Sequence, residues 1–452
     1  MTKKIGMVFL GCPKNQVDGE VMLAKLSDAD FEIVNDVNDA DVIIVNTCGF
    51  INDAKVEAID NILLLAELKN EGVIKGIVVT GCLAQRYQDE IQKEIPEVDA
   101  VVGLGANSNI VEVCNKVFNE ESVLTFPDKY CLPISGDRLL STQPYTAFIK
   151  IAEGCSNFCT YCAIPKIRGK FRSRPIEEIV AEANVLAQSG VKELIVVAQD
   201  TTRYGIDLYG EFTTAKLLRE LCKVNGIEWI RMLYCYPEAI TDELLDVMAT
   251  EEKICKYIDI PFQHASQGVL KKMNRVGSKD ELLKLVKKIR TKIPDIMIRT
   301  TFIAGFPSET EEDFEQLCEF VTEAKFDRLG CFAYSPEDDT PAAKMPDQID
   351  EDVKKQRVET IMNLQYRIFE DIQQSKIGKT MKVLVDEYDE NSLLFLGRTY
   401  MDSPEIDSQV IISSEDELEL GQFITVKIIA RDDIDLIGEH IYDEHDSLMS
   451  TK

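Results

Sequence analysis

From Lys4 to Phe118, short continuous apolar runs alternate with helical patterns. Lys4–Leu10, Asp41–Asn46, Gly76–Thr80 and Val98–Gly103 read as strands. Helices are expected up to about Leu26 and over about Ala54–Lys69, Ala84–Ile95 and Ile110–Phe118. Strands that are apolar throughout are buried on both faces, so this alternation predicts a parallel, doubly wound α/β sheet. The carboxyl ends of such strands share one edge, where ligands bind. Cys12, Cys48 and Cys82 each lie one or two residues past a strand, 36 and 34 residues apart. The topology therefore brings them together. Gly11, Gly49 and Gly81 beside them would let the backbone come close to a bulky ligand. Three thiolates so placed can hold a cubic iron–sulfur cluster with one iron free. Three unrelated core thiols are the alternative, which identical placement on successive units disfavours.

Alternation resumes from about Tyr145 to Lys376. Strands are expected over Thr146–Ala152, Glu193–Ala198, Trp229–Tyr234, Tyr257–Ile260, Met297–Ala304 and Arg328–Tyr334, with helices between such as Ile176–Gln188 and Asp280–Lys292. These units predict a partial (βα)6 barrel, open on one side, with its chemistry at the carboxyl rim. After the first strand comes Glu153-Gly-Cys155-Ser-Asn-Phe-Cys159-Thr-Tyr161-Cys162. Cys-x3-Cys-x2-Cys gives three thiolates to a cubane and leaves the fourth iron for a small molecule, as S-adenosylmethionine is bound. A structural zinc site is the alternative, but zinc takes four ligands and no second pair lies nearby. Gln199–Thr202, Pro261–Ser266 and Ile303–Glu309 reach the same rim. Lys166, Arg168, Lys170, Arg172 and Arg174 form a basic run beside the loop. It reads as a solvated strand face, with one member available to hold a substrate or cofactor carboxylate as the other reading.

A charged helix over Glu351–Ser375 leads out of the barrel, and Gly378 ends it. Met381–Val385, Leu393–Thr399, Gln409–Ile412, Ile424–Ala430 and Leu436–Ile441 then predict a small β-barrel of the oligonucleotide-binding type. Lys379 to Asp446 holds five Lys or Arg against 18 Asp or Glu, a net charge of −13. An RNA-binding face is hard to build from that, whereas a surface for a basic protein is easy. Residues after about Tyr442 read as disordered. The whole chain carries −29 over 452 residues. No apolar run approaches the roughly 20 residues that cross a bilayer, and Met1-Thr-Lys-Lys-Ile is too short to read as a signal peptide. A cytoplasmic protein is expected. Its remaining cysteines (Cys114, Cys131, Cys222, Cys235, Cys255, Cys318, Cys331) read as small hydrophobes rather than disulfide partners.

The Cys155–Cys162 loop resembles the signature of the radical S-adenosylmethionine superfamily, with Tyr161 as the aromatic residue before the last cysteine. From about Lys3 to Tyr442 the chain resembles the methylthiotransferases. Leu10-Gly-Cys-Pro-Lys-Asn-Gln-Val-Asp-Gly-Glu20 is most similar to their RimO branch; the tRNA-modifying MiaB branch typically has Gln-Met-Asn in place of Pro13-Lys14-Asn15. Gly19 stands where serine is usual. His264, in Gln-His-Ala-Ser, also resembles the RimO branch and is given no catalytic role. The resemblance implies an amino-terminal domain over 1–140, a radical domain over 141–376 and a TRAM-like barrel over 377–446. It implies two [4Fe-4S] clusters, one on Cys155, Cys159 and Cys162 and an auxiliary one on Cys12, Cys48 and Cys82. Tyr161 would lie against the adenine of S-adenosylmethionine, with Gln199, Ile303 and Gly305 as further contacts. The implied reaction is methylthiolation of the β-carbon of an aspartate in ribosomal protein S-twelve, with an electron donor and a sulfur donor as further partners and neither membrane nor tRNA. A MiaB-type tRNA enzyme and a non-enzymatic iron–sulfur carrier are the alternatives.

Overall fold

A computed structural model describes residues 2–441, so the tail expected to be disordered lies outside the described residues. The first sheet is parallel and six-stranded, in the order β2-β1-β3-β4-β5-β6. Its strands are β1 (Lys4–Leu10), β2 (Glu32–Ile33), β3 (Val42–Thr47), β4 (Gly76–Gly81), β5 (Ala100–Val102) and β6 (Val123–Thr125). β3 and β4 are buried at every position, which is why they read as unbroken apolar runs. The edge strands β2 and β6 were not expected; at two and three residues they carry no readable pattern.

Helices α1 (Pro13–Asp28), α2 (Asn52–Asn70), α3 (Cys82–Tyr87), α4 (Asp89–Glu94) and α5 (Ile110–Phe118) cover this sheet. The single helix expected over Ala84–Ile95 is in fact α3 and α4, broken at Gln88, whose φ is 46°. Gly19 lets α1 settle close on β1. A Cβ there would meet Phe9 Cε1 at 2.3 Å and Met7 Sδ at 3.0 Å. The serine usual at this place would displace the Phe9 ring. Gly19→Ser is expected to destabilise the protein by roughly 1–3 kcal/mol through overpacking, read as a lowered urea midpoint.

The second sheet runs β14-β13-β12-β11-β10-β7, all parallel and in chain order, with its two ends unpaired. Its strands are β7 (Thr146–Lys150), β10 (Glu193–Val197), β11 (Trp229–Met232), β12 (Ile254–Asp259), β13 (Met297–Ala304) and β14 (Arg328–Ala333). This is the expected open (βα)6 barrel. A short antiparallel pair, β8 (Ala152–Glu153) and β9 (Arg172–Ser173), brackets the cysteine loop, and α6 (Ile164–Arg168) lies within it. The basic run is therefore solvated only in part: Lys166 and Lys170 are exposed, while Arg168 at the end of α6 and Arg174 just after β9 are buried against Glu153 and Glu182.

The third unit is the closed barrel β15-β16-β17-β19-β18: β15 (Thr380–Asp389), β16 (Leu394–Thr399), β17 (Val410–Ser413), β18 (Phe423–Asp432) and β19 (Asp435–His440). It closes the amino end of the open barrel. Phe148, Ile195, Val197, Trp229 and Tyr257 form one buried cluster with Val383, Val385, Ile412 and Val426. Glu193, at the start of β10, accepts from Arg231 Nε at 2.9 Å and from Arg398 Nη1 at 2.8 Å. Arg328 pairs with Asp402 at 2.8 Å, and the Tyr257 hydroxyl donates to Asp407 at 2.7 Å. Among the described residues no helix is long and apolar enough to cross a membrane.

Candidate functional site

The carboxyl edges of the two parallel sheets face each other across a cavity of about 370 Å³. Cys12, Cys48 and Cys82 line one side, and Cys155, Cys159 and Cys162 the other. Among the described residues no three of His, Cys, Asp and Glu converge tightly enough for a single metal ion. A cubane has a different requirement, since it puts each thiolate on a separate iron.

Each cysteine is held by its local fold. Cys12 caps α1, with Pro13 as the first helical residue. Cys48 follows β3, and Cys82 opens α3 directly after β4. The glycines beside them serve chain-on-chain packing rather than ligand approach. A Cβ on Gly81, whose φ is +96°, would meet Thr47 O at 2.4 Å, and one on Gly49 would meet the Leu83 nitrogen at 2.7 Å. One on Gly11 would strike the Asn15 side chain. Asn15 joins all three loops. Its Nδ2 donates to Thr47 O at 2.8 Å, its carbonyl accepts from Asn46 Nδ2 at 2.6 Å, and its Oδ1 lies 3.5 Å from Cys82 Sγ.

Arg168 ties this node to the barrel. It donates to Asn15 Oδ1, to Asp18 Oδ2 at 3.0 Å and to Glu153 Oε1 at 3.0 Å. Lys150 completes the network by pairing with Asp18 and with Glu153 Oε2 at 2.9 Å. All four charged side chains are at most 2% exposed. Burial alone would raise the pKa of Glu153, yet Arg168 and Lys150 outweigh it and hold the carboxyl well below its ordinary range. Burial likewise opposes the Cys12 thiolate, but Lys14, Arg168 and the Asn15 and Lys14 backbone N–H groups lower its pKa overall. Burial pushes Cys48 up to about 12 and Cys155 up to about 11.

The other cysteine loop is pinned at several points. Asn157 Nδ2 donates to Asp200 at 2.8 Å, Thr160 N to Met273 O at 3.1 Å, and Asn274 Nδ2 to Phe158 O at 3.0 Å. The Tyr236 hydroxyl lies 2.8 Å from Cys159 Sγ. Of the expected contacts, Tyr161 and Gln199 line the cavity. Ile303 packs with Tyr161 against the apolar cluster of Phe306 and Tyr334. Ile303 and Gly305 fall outside the lining, and the Gly305 N–H is committed to Glu309 at 2.9 Å. His264 is buried away from the cavity, where Nδ1 accepts from Ser266 N at 3.0 Å. Cys114, Cys235, Cys255 and Cys331 are buried and Cys222 and Cys318 half-buried; Cys131, expected among the hydrophobes, is exposed.

Among the lining residues to which the sequence analysis gave no site role are Lys14, Tyr234, Tyr236 and Arg275. The two tyrosines flank Cys235 at the end of β11, and the cations sit over their rings, Lys14 on Tyr234 and Arg275 on Tyr236. Tyr-x-Tyr after an apolar strand was the available signal. Two of the lining residues keep buried polar atoms without a partner. Gln199 spends its Nε2 on Glu153 at 3.2 Å, and its Oε1 has no partner. Arg275 spends Nη2 on Pro261 O at 2.8 Å, and its Nε and Nη1 have none. Buried polar groups require partners. A free amide oxygen and a free guanidinium edge fit the ammonium and the carboxylate of an amino-acid ligand. The donor set, six thiols without an acidic triad, fits iron–sulfur clusters.

Comparison with known proteins agrees with this geometry. Residues 4–103 match the uncharacterized protein family UPF0004, residues 149–321 the radical SAM superfamily, and residues 377–441 the TRAM domain. The solved structure of the radical S-adenosylmethionine methyltransferase TsrM from Kitasatospora setae superposes with a TM-score of 0.58 at 14% identity, covering 76% of this chain and 77% of that one. The cobalamin-dependent radical enzyme OxsB superposes at 0.50 and 12% identity, over 81% of this chain and 58% of that one. At such identities the likeness establishes the fold alone. Fold and domain match together define a radical S-adenosylmethionine enzyme, a class that uses S-adenosylmethionine and a [4Fe-4S] cluster.

Curated relatives narrow the class. The ribosomal protein uS12 methylthiotransferase RimO of Clostridioides difficile (strain 630) is 50% identical over 441 residues, 97% of this chain and 99% of that protein. Its namesake from Clostridium botulinum (strain Eklund 17B / Type B) is 52% identical over 443 residues, 97% and 98% of the two chains. This chain belongs to the RimO family of methylthiotransferases.

Proposed function

We propose that this protein methylthiolates the β-carbon of an aspartate in ribosomal protein uS12, the protein called S-twelve above, in the cytoplasm. The observation that carries the reading is that two cysteine triplets, from two separate sheets, line one cavity. Cys155, Cys159 and Cys162 would hold the cluster that works with S-adenosylmethionine, and Cys12, Cys48 and Cys82 a second one. When bound, the first would supply the electron that cleaves S-adenosylmethionine to a hydrogen-abstracting carbon radical, and the second would supply sulfur. An unactivated β-carbon yields no proton to a side-chain base near neutral pH, which is why radical chemistry suits it. An electron donor and a sulfur donor are needed as partners.

The chain's own residues bind, orient and shield. Gln199 Oε1 would accept from the ammonium of S-adenosylmethionine, and Arg275 would pair its carboxylate. Tyr161, which packs against the same apolar cluster as Ile303, would offer an apolar wall to the adenine. Asn15 and Arg168 hold the two cysteine edges in register.

The test is mass spectrometry of uS12 and of tRNA after incubation with the reconstituted protein, S-adenosylmethionine, sulfide and a reductant. A mass gain of one methylthio group on a uS12 aspartate is expected, with unmodified tRNA. Methylthiolated adenosine with unmodified uS12 would transfer the protein to the MiaB-like reading. No modification of either, with clusters loaded, would favour an electron carrier.

Docking gives a further expected result. The −13 charge over 379–446 should steer a basic substrate. Binding of uS12 should weaken as salt rises, because charges separated by more than about 8 Å are screened at physiological strength. Asp432→Asn and Glu417→Gln, both at exposed sites, should slow association more than they speed dissociation. Asp435 is unsuitable for this purpose: it ties the start of β19 to the residue before β17 by accepting from Gln409 N at 2.8 Å. Stopped-flow association at two salt concentrations reads the effect.

A further inference from the structure

Four cations line the cavity: Lys14, Arg168, Arg275 and Arg299. Two are neutralised by carboxylates. Arg168 pairs with Asp18 and Glu153. Arg299 pairs with Asp259 at 3.1 Å and faces Asp407 at 3.6 Å. Arg275 belongs to the Cys159 side, on the Tyr236 ring. Lys14 belongs to the Cys12 side, where it favours the Cys12 thiolate. It is 7% exposed, its Nζ sits 3.3 Å from the centre of the Tyr234 ring, and among the described residues no carboxylate pairs with it. The nearby Asp259 is already engaged, with Arg299 and with Tyr234 N at 3.0 Å.

A ring face attracts an ammonium without cancelling its charge or accepting its three N–H bonds in the ordinary way. A buried ammonium in that state favours an anionic ligand. We propose that Lys14 is the binding residue for the side-chain carboxylate of the substrate aspartate, an inference that rests on the reading of uS12 as substrate. The carbon to be modified is one bond from that carboxylate carbon. Anchoring the carboxylate on Lys14 therefore sets this carbon in the cavity between Cys12 and the Cys155–Cys162 loop. Tyr234 keeps the ammonium from swinging away, as Tyr236 does for Arg275. Lys14 is thereby a specificity determinant. Adenosine carries no carboxylate, and asparagine at the target position carries a neutral amide that an ammonium binds less well.

The experiment measures binding of uS12 to the anaerobically reconstituted full chain. Native uS12 is compared with uS12 whose target aspartate is replaced by asparagine. The wild-type chain should favour the aspartate form by roughly 10- to 100-fold, the worth of one charge-assisted hydrogen bond. Lys14→Met should bind both forms equally, at the level of the asparagine form. Lys14→Arg should restore most of the preference. Because the readout is a ratio within each variant, a general loss of fold or of clusters does not imitate it. The assignment is overturned if Lys14→Met keeps the wild-type ratio, or if Arg275→Met removes it and Lys14→Met does not. It is also overturned if the wild-type chain binds the two forms equally while still methylthiolating native uS12, a result that leaves the proposed function standing. A wild-type chain that neither binds nor modifies uS12 overturns that function itself.

Discussion

Replacing Cys155, Cys159 and Cys162 together with Ala is expected to leave about four of about eight irons, the content of one cubane out of two. Reductive cleavage of S-adenosylmethionine should vanish with them. Replacing Cys12, Cys48 and Cys82 should remove a similar share of the iron. Cleavage should then survive while sulfur transfer to uS12 stops. The two outcomes differ because the triplets stand on different sheets, on opposite sides of one cavity. Iron analysis with product analysis on both triple variants decides the matter. Full iron content in the second variant would refute an auxiliary cluster.

Arg168→Met is expected to destabilise the protein by roughly 3–5 kcal/mol, the cost of stranding buried charges whose partner has been removed. Asp18 and Glu153 would keep only Lys150 between them. The acid limb should move as well. A carboxylate with a depressed folded pKa contributes stability above its unfolded value, and this is lost as the pH falls through the folded value. Glu153 in the wild type should therefore weaken the fold only as the pH drops below its ordinary 4.5. Without Arg168 its folded pKa rises toward the unfolded value, so less stability is left to lose and the drop between pH 7 and pH 3 should be smaller than in the wild type. Urea unfolding from pH 7 down to pH 3 reads both effects. Lys166→Met on the exposed side of the same short helix should stay within roughly 0.5 kcal/mol of wild type. An Arg168 variant as stable as that one would contradict the account.

Much of this was legible in the sequence, and the parts that were not share a cause. Parallel strands buried on both faces write themselves as apolar runs, so β3, β4 and the barrel strands could be read directly. Strand ends fixed which cysteines converge. A two-residue edge strand such as β2 and a left-handed break such as Gln88 leave no periodic trace. The basic run misled for a related reason. Alternating charges look solvated in one dimension, and only the turn of α6 onto Asp18, a residue 150 positions away, shows Arg168 to be buried. Lys14 and Arg275 were hidden likewise. Their partners are tyrosine faces on another segment, and a cation resting on a ring has no spacing rule along the chain.

The closed barrel at the foot of the open one has a mechanical consequence. Arg398, Asp402 and Asp407 are locked into the first residues of β10 and β14 and into β12, over a shared apolar floor. An acidic surface mounted this way is no swinging arm; it stays at a constant offset from the cysteine cavity. On the proposed docking, a partner resting on it would be gauged by reach. A side chain carried on a protrusion that spans the offset would arrive at Lys14, and an aspartate on a flat or recessed surface would stop short. Target choice would then work as a caliper does, by a distance set between two fixed jaws.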